Sequence, residues 1–147
     1  MFRPGRRFFS AASLALLLVA LLHALGHVSP PPENAGRRAV RAVMEAYHFD
    51  AGLGMRPSAQ DVLDSLSLTM SIALAWLGIL NLIAARDQET SWRLIDRLAL
   101  LGAVAAFALV VVYAVFRVFP PLLSLAVVDG LFVLALVVPT PRSASDG

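Results

Sequence analysis

Four long apolar runs in a chain of 147 residues that is 59% hydrophobic predict an all-α protein, an integral membrane four-helix bundle with a short amphipathic helix in its first connector. The runs are Phe8 to Gly26, Leu66 to Ala85, Leu98 to Phe116 and Val118 to Pro139. Each approaches or exceeds the roughly 18 residues that cross a hydrocarbon core of about 30 Å at about 1.5 Å per residue. The polar residues left over are too few to cover a water-soluble globule, so lipid has to serve as solvent. Between the first two runs, apolar side chains recur at helical spacing in an otherwise charged segment. The expectation is one membrane domain over residues 1–147. Its crossings fall at about 8–28, 62–86, 94–117 and 119–139, and its amphipathic connector at about 29–61.

The first run follows Arg3, Arg6 and Arg7, a basic start that suits either a cleavable signal or a first membrane helix. Signal h-regions span about 7–15 residues and end at a small-residue cleavage site, whereas this run is longer and ends in His23-Ala24-Leu25-Gly26-His27. The reading is an uncleaved helix. Ser29-Pro30-Pro31-Pro32 stops it, because proline lacks a backbone donor and turns the preceding residue away from helical geometry.

From Asn34 to Tyr47, the residues Val40, Val43, Met44 and Tyr47 fall on one helical face while Arg37, Arg38, Arg41 and Glu45 lie mostly elsewhere. Such a helix lies on the bilayer surface or caps the bundle, and a partner-binding helix is the alternative reading. Phe49 to Pro57 is a turn-rich link whose Gly52 and Gly54 allow positive φ, and Ser58 with Asp61 forms a capping box for the second crossing. Asp61 and Asp64 then sit in its first turns, at the positive end of the helix dipole.

Arg86 to Arg97 is a short polar connection in which Thr90 or Ser91 caps the third helix and Trp92 sits at the interface. The third and fourth helices are joined by a few residues around Val118 to Pro121, which makes them antiparallel neighbours with proline in the first turn of the fourth. Residues spaced four apart, Ala20 with Ala24, Ser71 with Ala75, Gly102 with Ala106 and Ala126 with Gly130, let helix backbones approach.

All 12 basic residues are arginine, and the net charge of +2 is too small and scattered for a nucleic-acid partner. Four crossings put both termini on one side, with Arg3, Arg6, Arg7, Arg86, Arg93, Arg97 and Arg142. The other side carries Arg37, Arg38, Arg41, Arg56 and Arg117. The positive-inside rule then favours cytoplasmic termini. With no cysteine, disulfides, thiolate metal sites and cysteine nucleophiles are excluded. No glycine-rich phosphate loop or Gly-x-Ser-x-Gly setting occurs either.

Asp129 stands about 13 Å into the fourth crossing, where an isolated charge is very unfavourable. It should face the bundle interior and either pair or remain protonated, and its replacement by alanine should matter far more than that of Asp146. The same rise puts His23, Tyr113 and Ser124 in the outer half of the bilayer, and His27 and Arg117 at its outer edge. Ser67 and Ser71 enter from that side. These residues predict a polar cavity open outward, closed below by an inner half nearly devoid of polar groups apart from Asn81. His23 and His27, four apart on one face, also have the spacing to hold a metal, with His48, Asp50 or Asp129 completing the shell. Interhelical hydrogen bonding is their plainer use.

Met44, Tyr47-His48-Phe49, Gly52-Leu53-Gly54-Met55, Pro57-Ser58 and Asp61, leading into Ser65-Leu66-Ser67-Leu68 and a membrane helix, resemble a family of small uncharacterised bacterial four-helix membrane proteins. The overall plan is also similar to that of DoxX-like proteins, which implies a four-helix inner-membrane architecture. No cysteine supports the redox association of that group. The expectation is a non-enzymatic subunit, scaffold or binder of lipid or a small ligand, with no cofactor, acting through His23, His27, Tyr113, Arg117 and Asp129. The alternative is a membrane redox or metal-binding protein using His23 and His27. The bilayer is the expected partner, and another membrane protein is the second partner class.

Overall fold

The computed structural model describes residues 4–29, 34–87 and 90–138. Within them the chain is all-α, with helices α1 (Pro4–Val28), α2 (Ala35–Ala46), α3 (Ala59–Arg86), α4 (Trp92–Val115) and α5 (Phe119–Val137). All but α2 are long and apolar enough to cross a membrane. No more than 28% of the apolar window of any of these four is buried within the chain. An apolar medium must cover the rest, which makes this a multi-pass membrane protein.

The helix ends follow from local chemistry. α1 begins at Pro4, not at Phe8 as expected, because proline suits a first turn whose donors are unsatisfied anyway and Arg6 and Arg7 are good helix formers. α3 begins at Ala59, three residues before its expected start at 62, because the capping box places its first turn there. The Ser58 amide donates to Asp61 Oδ2 at 2.9 Å and the Asp61 amide donates to Ser58 Oγ at 3.1 Å. Ser91, of the two candidates, caps α4, its Oγ accepting from the Leu94 amide at 3.3 Å.

α4 ends at Val115, two residues before its expected end, in a Schellman turn. The Val118 amide donates to the Tyr113 carbonyl at 2.9 Å and the Arg117 amide to the Ala114 carbonyl at 3.2 Å. Arg117 occupies the left-handed position of that turn, at φ 57°, where glycine is usual. α5 carries Pro120 and Pro121 in its first turn and ends at Val137. Val138 is extended, as a residue before proline should be, and the expected end at Pro139 lies outside the described residues.

The chain divides into two compact units, Met1–Val19 with Leu74–Gly147, and Ala20–Ala73. In the first, α4 packs on α5 through a face of Ile95, Ala99, Gly102, Ala103 and Ala106, against Leu125, Val128, Phe132 and Ala135. Small side chains on α4 receive large ones from α5. A Cβ at Gly102 would stand 2.8 Å from the Phe132 ring, so glycine is what admits that phenylalanine. Phe9 of α1 meets the same ring with centroids 5.9 Å apart in a tilted arrangement. Gly78 of α3 lies against α1, where a Cβ would stand 2.8 Å from Leu17 and 2.9 Å from the Ser13 carbonyl.

At the N-terminal end of α1, the Arg6 guanidinium donates to the carbonyls of Ala85 and Asp87 and lies over the Trp92 ring, 5.6 Å from its centroid. One side chain thus ties α1 to the link between α3 and α4. Of the small-residue pairs, Gly102 and Ala106 are buried. Ala126 and Gly130 are exposed and do not mediate packing within the chain, because α5 turns its Leu125, Val128 and Phe132 face inward instead.

The second unit holds the end of α1, the whole of α2 and the start of α3. Between α2 and α3 the chain makes a short hairpin. The Ala59 amide donates to the Tyr47 carbonyl at 2.8 Å, Phe49 to Pro57 at 3.0 Å and Ala51 to Met55 at 3.1 Å, around an antiparallel bridge from His48 to Ser58. Gly52, Leu53 and Gly54 form its tip, all with positive φ.

Candidate functional site

The second unit gathers polar side chains on one face of α3. Gln60, Asp64, Ser67 and Ser71 recur at helical spacing. Opposite them stand His27 and His23 of α1, which share a face because they are four apart. His23 Nε2 and Ser67 Oγ are 2.8 Å apart, a hydrogen bond whose donor depends on the tautomer. His27 Nδ1 lies 4.0 Å from Asp64 Oδ1, too far for a direct hydrogen bond and close enough for Coulomb attraction once His27 carries a proton. With side chains 26% and 39% exposed, that pair contributes little to stability.

Asp64 Oδ1 also accepts from Gln60 Nε2 at 2.7 Å. Deeper along α3, Ser71 is buried and its Oγ donates to the Ser67 carbonyl at 3.2 Å, so it needs no external partner. The result is a polar ladder along the contact of α1 with α3, four rungs on one helix and two on the other.

Gln60 belongs to a second feature as well. Together with Asn34, Gly36, Arg37, Val40, Arg41 and Met44 it lines an open groove of about 490 Å³. Asn34 caps α2, its Oδ1 accepting from the Arg37 amide at 2.9 Å, and Arg41 Nε donates to Glu45 Oε1 at 2.9 Å one turn on. The groove runs along the border of α2 where its arginine face meets its apolar face. Guanidinium groups therefore stand beside Val40 and Met44, a lining matched to a ligand with an anionic head and an apolar body.

Of the residues expected to act, His23 and His27 belong to this ladder, each with its own partner. His48 is on the hairpin, its backbone bridged to Ser58, and Asp50 turns back to accept from the Gly52 amide at 3.0 Å. Among the described residues no three His, Cys, Asp or Glu side chains stand together as a metal-binding group.

Tyr113, Arg117 and Asp129 belong to the first unit. Tyr113 is half-buried and lends its carbonyl to the cap of α4; Arg117 is exposed and holds the left-handed position of that cap. Asp129 is half-buried midway along α5, ten residues after Phe119. Asp146, its intended comparison, lies outside the described residues.

Sequence reasoning assigned Asp64 to the helix dipole alone and passed over Gln60. The signal was present in the spacing of 60, 64, 67 and 71, which matches the face that His23 and His27 present. No family model, curated protein or solved structure matches the chain.

Proposed function

We propose that this protein is a non-enzymatic bacterial inner-membrane bundle, with both termini cytoplasmic, that holds an anionic phospholipid headgroup beside the polar ladder on its outer side. One observation carries the reading. Gln60 lines the arginine-bordered groove and also donates to Asp64 of the Asp64–His27 pair, so a ligand seated in the groove would lie beside the ladder. Arg37 and Arg41 supply the charge-assisted donors that a phosphate diester prefers, and Val40 and Met44 supply contact for its acyl portion. The resemblance of residues 44–61 to small four-helix bacterial proteins agrees with a subunit of this architecture.

The arginine distribution supports the orientation, with seven on the side of the termini and five on the other. Native mass spectrometry after extraction in mild detergent tests the ligand. The expected result is a retained phosphatidylglycerol or cardiolipin adduct that falls at least about tenfold in an Arg37→Ala, Arg41→Ala double variant, as loss of two charge-assisted contacts requires. Equal retention by the variant would defeat the assignment. Because the chain has no cysteine, a cysteine placed at Ser91 or at His48 and probed with an impermeant maleimide reads the orientation. Only the His48 position should react from outside intact spheroplasts.

A further inference from the structure

The hairpin from Tyr47 to Ala59 has two chemically distinct faces. Side chains alternate along a strand, and residues opposite each other share a face. The hydrogen bonds pair Tyr47 with Ala59, Phe49 with Pro57 and Ala51 with Met55, while His48 stands opposite Ser58. One face is thus Tyr47, Phe49, Ala51, Met55, Pro57 and Ala59. The other is His48, Asp50, Arg56 and Ser58. In the two arms every apolar residue falls on the first and every ionisable one, apart from the Tyr47 phenol, on the second.

That apolar face continues α2. Tyr47 lies on the same helical stripe as Val40 and Val43, and its ring meets Phe49 edge-on with centroids 5.0 Å apart. Among the described residues none covers the stripe, for α2 buries no residue, and Val43 and Tyr47 are 69% and 60% exposed. At the tip Leu53 is 98% exposed and held at φ 52°, between two glycines that also have positive φ. A leucine in left-handed backbone with no contact of its own serves neither the turn nor the core, where asparagine or glycine would be favoured.

We propose that the hairpin is a membrane-inserting finger. Leu53, Phe49 and Met55 enter the acyl boundary of the protein's own bilayer, and Arg38 and Arg56 meet anionic phospholipid phosphates above it. The position selects lipid as the occupant. The connector leaves α1 at Val28 and returns at Ala59 of α3, and the His27–Asp64 and His23–Ser67 contacts set those two ends side by side. It therefore lies at the boundary between hydrocarbon and water. Charge agrees, since Asn34 to Pro57 holds four arginines against Glu45 and Asp50. Reach agrees too. The six steps from Tyr47 to Leu53, at about 3.3 Å each where extended, span at most about 20 Å, against the roughly 5–8 Å of a headgroup layer. The proposal does not depend on a ligand in the groove.

The absence of cysteine allows a direct test on the full chain. Leu53→Cys and, on the opposite face, His48→Cys are each labelled with an environment-sensitive fluorophore and reconstituted into mixed phosphatidylcholine–phosphatidylglycerol vesicles. Insertion predicts that aqueous iodide quenches the label at 53 at least about fivefold less than that at 48, while nitroxide-bearing lipid quenches it more. In pure phosphatidylcholine the protection should weaken. Equal iodide quenching at the two positions overturns the proposal. So does protection of position 53 that occurs in native membranes and not in the protein-free lipid of the vesicles, which would identify a protein partner. A second pair, Met55→Cys and Arg38→Cys, repeats the comparison without altering the tip, and must show the same contrast.

Discussion

Arg117 shows how a residue's role can be set by backbone and not by side chain. Its charge and its place near the membrane edge mark it in the sequence, yet its position in the structure is the left-handed step of a Schellman turn, with the side chain exposed. Arg117→Gly should therefore preserve the turn and stabilise the protein by about 1 kcal/mol, the cost of left-handed geometry for a residue with a Cβ. A higher midpoint of thermal unfolding in detergent is the expected result, and a large drop would mean that the guanidinium itself is needed. Glycines 78 and 130 give the opposite contrast. Gly78→Ala forces a methyl against the Ser13 carbonyl and Leu17 and should destabilise by about 1–3 kcal/mol. Gly130→Ala meets nothing within 4 Å and should be neutral or gain up to about 1 kcal/mol in helix propensity. Sequence alone could not separate these two glycines. Each lies inside an apolar helix, and only the facing helix decides which is pressed.

At the scale of elements, the long helices were readable because apolar length is a local property, and the caps because Ser58, Asp61 and Ser91 act within one turn of themselves. The pairing of His23 with Ser67 and of His27 with Asp64 was not readable, since it depends on the register between α1 and α3. The hairpin was hidden for a related reason. The alternation of Tyr47, Phe49 and Ala51 with His48 and Asp50 is too short to stand out beside glycines that signal only a turn. Its return arm joins the capping box directly, so Ser58→Ala should do more than shorten α3. Loss of the cap costs about 1 kcal/mol, and the amides of Asp61 and Ala59 should exchange roughly fivefold faster or more. Hydrogen exchange by mass spectrometry reads this, and unchanged exchange at both amides would show that the cap is not what holds the junction.

The whole molecule is set by its solvent. With large apolar side chains such as Leu101, Phe107 and Leu123 facing outward, the four long helices are stable side by side only where hydrocarbon covers them. In the orientation proposed above, with both termini on one side, the distribution of arginines decides which way round the chain lies. Exchanging Arg86, Arg93 and Arg97 for glutamine lowers the count on the side of the termini from seven to four, below the five opposite. The expected outcome is a mixed or inverted population, read by maleimide labelling of a single cysteine at Ser91 on intact cells. A chain that kept one orientation would place the determinant elsewhere.

The clamp of Arg6 on the carbonyls of Ala85 and Asp87 carries a consequence for biosynthesis. Its partners lie 79 and 81 residues further along the chain. A ribosome adding about 5–20 residues per second therefore leaves this arginine waiting roughly 4–16 seconds after its own synthesis before they exist. The first segment must spend that interval in the bilayer without its latch, held only by lipid and by whatever insertion machinery attends it. Slowing translation between codons 30 and 85 should lengthen the exposure of the nascent chain to membrane proteases, and Arg6→Ala should make that vulnerability permanent.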